Sequence, residues 1–160
     1  MKKYILTKTK ITSGLQCHKK LWFDVHEPIK FETKATIERG KRFGKAVIKN
    51  YTKGNGKFLD LTNEWADRFN RTKQAINSDD INVIFEGAFE YLNTEVRTDV
   101  LIRKKKGWEL LEAKSATKFK PEEHILDIAI QSFIVRECMK QLGHDLISSK
   151  LIHINKNFTL

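Results

Sequence analysis

Cysteine, proline and long apolar runs are all scarce in this chain. Only Cys17 and Cys138 occur among 160 residues. A disulfide framework is therefore excluded, and the thiols fit a reducing, cytoplasmic setting. No apolar run approaches the ~20 residues of a transmembrane helix, so a membrane is not an expected partner. The opening Met1-Lys2-Lys3 is basic and then only briefly apolar, with charged and polar residues following at once. It is not expected to act as a signal peptide. Internal repeats and low-complexity tracts are missing too. Acid is what the first third lacks: residues 1–57 carry 15 Lys or Arg against 4 Asp or Glu, a net of +11. The other 103 residues carry 15 against 16, a net of −1. This asymmetry points to a polyanionic partner, most simply nucleic acid. A basic surface with no dedicated partner is the other reading.

What is present suffices for a core. Hydrophobic residues make up 40% of the chain, and its length fits one domain over residues 1–160. Thr7 can cap a helix to about Cys17, with Ile11 and Leu15 on one face. The chain from Cys17 to Phe23 continues as helix or turn until His26-Glu27-Pro28 breaks it. A basic helix is expected from about Glu32 to Tyr51, anchored by Ile37, Phe43, Val47, Ile48 and Tyr51. Lys53-Gly54-Asn55-Gly56 reads as a turn and Phe58–Leu61 as a short strand. Asn63 to about Asn77 reads as an amphipathic helix with Trp65, Phe69 and Ile76 inward. Val83–Tyr91, Glu95–Arg103 and Trp108–Lys114 read as a three-strand meander. A long helix starts near Pro121 and runs to about Leu142, where Gly143 stops it. Leu146–Ile154 is a last strand. The order predicts an α/β sandwich, a mixed sheet flanked by helices, with a basic helical part over 1–57 and the core over 82–155.

Turn length carries the chemistry. A two-residue Lys105-Lys106 turn places Asp99 opposite Glu112. A two-residue Leu92-Asn93 turn places Glu86 opposite Asp99. Three carboxylates then form a row across three strands, with β-carbons of opposed neighbours ~5 Å apart, where like charges repel. Such a row suits a hard divalent cation, Mg²⁺ or Mn²⁺; a solvated polar face is the alternative. Glu112 and Lys114 are two apart on one strand and share a face. A metal with an adjacent ammonium can activate water and neutralise charge in phosphodiester hydrolysis. An ordinary ion pair is the alternative.

The block VRTDVLIRKKKGWELLEAKSATKFK strongly resembles the core of RecB-like PD-(D/E)XK nucleases. Asp99 matches the family's Asp, and Glu112-Ala113-Lys114 matches its Glu-x-Lys. DIAIQSFIV resembles the following helix, with Gln131 as the matching glutamine; Val135 stands at the family's tyrosine position, with Phe133 close by. LTKTKITSGLQCHKKLWF is similar to the family's opening segment, with His18 in place of its proline. IERGKRFGKAVI resembles its first core helix: Gly40 matches, and Gly44 stands at the histidine position. The resemblance implies a restriction-endonuclease-like α/β/α core and a Mg²⁺- or Mn²⁺-dependent nuclease acting on nucleic acid, with DNA expected first. Asp99 and Glu112 would hold the metal with the Ala113 carbonyl, and Glu38 and Glu86 are candidates for further ligation. Lys114 would assist the water nucleophile, and Gln131 would orient substrate or water. Lys19, Lys20, Lys41, Arg42 and Lys45 would grip phosphates.

Some RecB-like nucleases hold an iron–sulfur cluster on four cysteines. With two cysteines here, no cluster is expected and Cys17 is expected to be buried. His124, Asp127, Gln131 and Val135 follow helical spacing, so His124 or Gln131 could face the site; a core glutamine with its hydrogen bonds satisfied is the alternative. Trp22, Phe23 and Trp108 are read as core rather than as base-stacking platforms. The departures at Gly44 and Val135 keep open a catalytically inactive binding module of the same fold. The end soon after the last strand leaves room for a protein partner or second domain in a larger DNA-processing assembly.

Overall fold

The structure, a computed structural model, describes residues 4–28, 34–54, 56–64 and 66–155. The elements are β1 (Leu6–Thr7), α1 (Lys8–Gln16), α2 (His18–His26), α3 (Lys34–Thr52), β2 (Lys57–Asp60), α4 (Arg68–Asn77), β3 (Ile81–Tyr91), β4 (Thr94–Lys104), β5 (Gly107–Lys114), α5 (Pro121–Gln141) and β6 (Leu146–His153). The local signals explain the boundaries. Thr7 Oγ1 accepts from the Lys10 N–H and caps α1. Pro121 lies in the first turn of α5 beside Glu122 and Glu123, where the helix dipole favours negative charge. Gly143, at φ 75°, follows its end. Among the described residues no helix is long and apolar enough to cross a membrane.

The sheet is mixed and six-stranded, in the order β2-β3-β4-β5-β6, with β1 paired to β4. The β3–β4–β5 meander is antiparallel, and β6 returns parallel to β5 after the α5 crossover. One face carries Ile84, Leu101, Trp108 and Leu110 against Ile76 of α4 and Ile134, Val135 and Met139 of α5. The other carries Val83, Phe85, Val100, Ile102 and Leu111 against Phe43, Val47, Ile48 and Tyr51 of α3. Period-2 alternation thus feeds two cores, with helices on both faces of the sheet. The alternation inverts at one place. Ile84 and Leu101 share a core with Phe89 and Val96, an odd spacing on both strands. Pairing is interrupted there, between Phe85↔Val100 and Gly87↔Thr98. The residues at the break are Glu86 and Asp99, and Glu86 adopts φ 54°, rarely seen in a non-glycine strand residue.

Both assumed turns are observed: β4 and β5 close at Lys104↔Gly107, and β3 and β4 at Tyr91↔Thr94. Gly107 secures the first of them. It sits at φ 146°, and a Cβ there would stand 2.5 Å from the Asp145 carbonyl oxygen. Gly107→Ala should lower stability by about 2 kcal/mol or more, read as an earlier urea midpoint with unchanged slope. A wild-type midpoint would show that the turn tolerates a side chain.

Several expectations are corrected. α4 begins at Arg68 rather than near Asn63: Asp60 Oδ1 accepts from the Thr62 N–H and hydroxyl, and Asp67, just before the helix, is left-handed. Phe69 is exposed rather than inward, whereas Ile76 is fully buried; Trp65 lies outside the described residues. Ile37 and Leu15 are exposed. Ile37 lies in the first turn of α3, whereas the anchors that pack on the sheet begin at Phe43. Trp108 is core, but Trp22 and Phe23 are exposed on α2, which packs on α1 rather than on the sheet. Cys17 is exposed, not buried. It sits in the bend between α1 and α2, where the N–H groups of Lys20 and Lys19 hold its thiol below the ordinary value.

Candidate active site

The site lies where β4 and β5 part. Their ladder runs from Lys104↔Gly107 to Val100↔Leu111 and stops. β3 occupies the far edge of β4 on either side of the break at Asp99, so β1, at Thr94 and Glu95, takes the edge that β5 has left. Asp99 falls in the gap. Its Oδ2 accepts the Ala113 N–H at 2.6 Å, a side chain standing in for a ladder bond.

Glu112, next along β5, is 3% exposed, and both of its oxygens are engaged. Oε1 receives Lys8 Nζ at 2.7 Å and Lys114 Nζ at 2.8 Å. Oε2 receives Gln131 Nε2 at 2.6 Å. Lys114 also pairs closely with Asp127 of α5, and Lys8 Nζ stands 3.9 Å from the same Asp127 Oδ2. Three elements therefore meet: β5 brings Glu112 and Lys114, α5 brings Asp127 and Gln131 one helical turn apart, and the start of α1 brings Lys8.

The electrostatics are lopsided. Burial and then the negative charge of Glu112 push the Asp99 carboxyl up to about 7, against the opposing Ala113 hydrogen bond. Burial pushes Glu112 up as well, but Lys8 and Lys114 outweigh it and hold its pKa below the usual range. Burial disfavours the charged form of Lys114, yet Glu112 and Asp127 more than reverse this, so its pKa is raised. Burial also raises Glu86, opposed by Arg97 and Arg68. Glu112 thus has two ammonium partners, while Asp99 is pressed toward its neutral form.

Glu86 and Asp99 line two neighbouring cavities. One, of about 450 Å³, is walled by Lys8, Arg68, Phe69 and Arg97. The other, of about 630 Å³, is walled by Lys41, Lys45, Thr62 and Ala113. Basic side chains from α1, α3, α4 and β4 therefore surround a small acidic floor. No family model matches the chain, and no curated protein matches it. The chemistry is read from this geometry.

Glu86, Asp99, Ala113, Lys41 and Lys45 come together around one cavity, and Asp99 adjoins the cluster of Glu112, Lys114 and Gln131. Glu38, on α3, and Arg42 are exposed and line neither cavity. Lys19 and Lys20 are exposed on α2, with Lys20 donating to Gln16 and Lys19 over the Phe23 ring. His124 is buried at the start of α5 and accepts from the Lys120 N–H. Among the described residues no three His, Cys, Asp or Glu side chains are grouped to cage a metal. A two-carboxylate floor still fits a hard cation, because Mg²⁺ is commonly held by one or two carboxylates with water and substrate phosphate completing the shell. The donors are all oxygen, and Asp99 is pressed toward its neutral form as a carboxylate short of a cation would be. Among the described residues Gln131 Oε1 is buried without a hydrogen-bond partner, an acceptor left over beside Glu112. Sequence reasoning did not assign roles to Lys8 and Asp127. Asp127 carried a signal, four residues before Gln131 on the same helix face. Lys8 carried none, since its place depends on the two-residue β1 pairing.

Proposed function

We propose that the chain is a metal-dependent nuclease of the PD-(D/E)XK, RecB-like kind, with a restriction-endonuclease-like core, hydrolysing phosphodiester bonds, in DNA first. The observation that carries this reading is the placement of Glu112 and Lys114 on one strand, beside Asp99 at the break between β4 and β5. A bound Mg²⁺ or Mn²⁺ would supply Lewis-acid charge neutralisation and an activated water. Asp99 and Glu112 are the residues to hold it, with Glu86 beside Asp99 on the cavity walls. Lys114, whose pKa is raised, stays an ammonium at neutral pH. Its work is then to donate a hydrogen bond to the attacking water or to the charge building on the phosphoryl oxygens, rather than to remove a proton. Gln131 fixes the Glu112 carboxylate through Oε2, a positioning role. Lys41 and Lys45, with Arg68 and Arg97 across the floor, meet the phosphate backbone.

The test is cleavage of single-stranded, duplex and branched DNA, with RNA alongside, in the presence and absence of Mn²⁺. Metal-dependent cleavage of any of these supports the reading. No cleavage of any would favour an inactive nucleic-acid-binding module of the same fold, a second reading to which the double ammonium occupancy of Glu112 Oε1 lends support. Binding has its own expected outcome. Affinity should fall steeply with salt. Charge reversal of Lys41, Arg42 and Lys45 together should weaken it far more than reversal of Lys104, Lys105 and Lys106, which sit at the remote β4–β5 turn. Equal losses in filter binding would remove the assigned interface.

A further inference from the structure

Lys8 reaches Glu112 from outside the β5–α5 unit. It is the first residue of α1, fixed by the Leu6↔Thr94 and Thr7↔Glu95 pairing before it and by the Thr7 cap around it. α1 itself packs against α5 and β4. Its ammonium reaches the same oxygen, Glu112 Oε1, that Lys114 reaches, at 2.7 Å against 2.8 Å. One carboxylate oxygen thus serves two ammonium groups that also share Asp127, while the neighbouring Asp99 is held by a neutral backbone N–H. A cation that takes Glu112 as a ligand would compete for Oε1 with the Lys8 ammonium. Lys114 is tied to Asp127 by close contact and lies on the same strand as Glu112. Lys8 has a second acceptor already within 3.9 Å, Asp127 Oδ2, and its side chain keeps about a quarter of its surface in solvent. It can leave without being stranded.

We propose that Lys8 is a built-in counter-ion that occupies Glu112 in the metal-free chain and is displaced toward Asp127 when the divalent cation binds, so that it sets the cation affinity of the site. This rests on the metal-dependent reading given above. Its consequence is a competition: the apparent affinity for the cation is lowered by the fraction of molecules in which Lys8 holds Glu112.

Calorimetric titration of Mn²⁺ into the wild-type chain, Lys8→Met and Lys8→Gln tests it, with thermal melts to establish that each variant is folded. Both variants should bind Mn²⁺ more tightly, by about ten-fold, since removing a competitor raises the competent fraction toward one. Lys10→Met, on the same helix but with its ammonium on the Ile5 carbonyl rather than on Glu112, should bind as wild type does. Displacement has a second readout in the unaltered protein. Acylation of Lys8, followed by mass spectrometry, should rise several-fold when Mn²⁺ is added, with Lys10 unchanged. Equal or weaker Mn²⁺ binding by the Lys8 variants, or Lys8 reactivity indifferent to Mn²⁺, overturns the displacement while leaving the nuclease reading intact. If neither the wild type nor either variant takes up Mn²⁺, the metal-dependent reading falls and this inference falls with it. Cleavage is not used as a readout.

Discussion

Lys114→Ala should lose Mn²⁺-dependent cleavage by on the order of a hundred-fold or more, the usual scale for removing one preorganised electrostatic group, while folding and nucleic-acid binding stay nearly intact. Folding should survive because Glu112 keeps Lys8 on Oε1 and Gln131 on Oε2, so no buried carboxylate is left alone. Glu112→Gln should fail for another reason, through weakened metal affinity, and should recover partly at high Mn²⁺. Lys114→Ala should not recover that way, because its metal ligands remain. Gln131→Ala should be milder, since that side chain only orients Glu112. Asp127→Asn supplies a separate check. It removes one of the two carboxylates that hold the Lys114 pKa up, so the alkaline limb of the rate profile should move to lower pH. Equal single-turnover rates for wild type and Lys114→Ala would refute the assigned role of the lysine and leave the fold untouched.

The sheet was legible because its signals are local. Alternation placed the strands, and two turns of two residues each fixed which residues face one another. The two-residue turn at Lys105-Lys106 sets the β4–β5 register as far as Val100↔Leu111, and the strands part before Asp99 can pair with Glu112. α5 was legible for the same reason, through Pro121, Gly143 and the spacing of Gln131 and Val135. What was hidden depends on contacts far apart in sequence. The break in pleat at Glu86 and Asp99, with Glu86 left-handed, has no signature in composition. Lys8 reaches Glu112 across 104 positions through a strand of two residues. The aromatic residues of α2 read as core because Trp and Phe usually are, yet that helix rests on α1, and Trp22 and Phe23 stay exposed. The expected row of opposed carboxylates is not formed, because the ladders break at Glu86 and Asp99 and stop before Glu112. The unequal partners of these carboxylates, two ammonium groups on Glu112 and one backbone N–H on Asp99, became visible only in three dimensions.

That inequality sets the second large effect, on stability against pH. Asp99 has an ordinary value near 3.9 when unfolded and about 7 in the folded chain. Between those values the folded state keeps a proton that the unfolded state has released. The proton balance then makes stability fall as pH rises from about 4 to about 7, and level off above. A tenfold difference in proton affinity is worth ~1.4 kcal/mol, so the loss amounts to a few kcal/mol. Asp99→Asn has no carboxyl to ionise and can still accept the Ala113 N–H through its amide oxygen. Without metal, the variant should therefore be more stable than wild type at pH 8 and nearly equal at pH 4.5. Mn²⁺ should reverse the order. An ion bound to the ionised pair stabilises by mass action, so millimolar Mn²⁺ should raise the wild-type melting temperature at pH 8 and do little at pH 4.5, where protons occupy Asp99. Asp99→Asn should lose most of that gain. Glu112 does not mimic this pattern, because its depressed value places its own loss of stability at pH below the ordinary carboxylate range. Melts at pH 4.5, 6 and 8, with and without Mn²⁺, separate the cases. A wild-type curve that is flat from pH 5 to 8 without metal would mean that Asp99 is ionised and already balanced. A wild-type melting temperature indifferent to Mn²⁺ at pH 8 would mean that this pair of carboxylates holds no divalent ion.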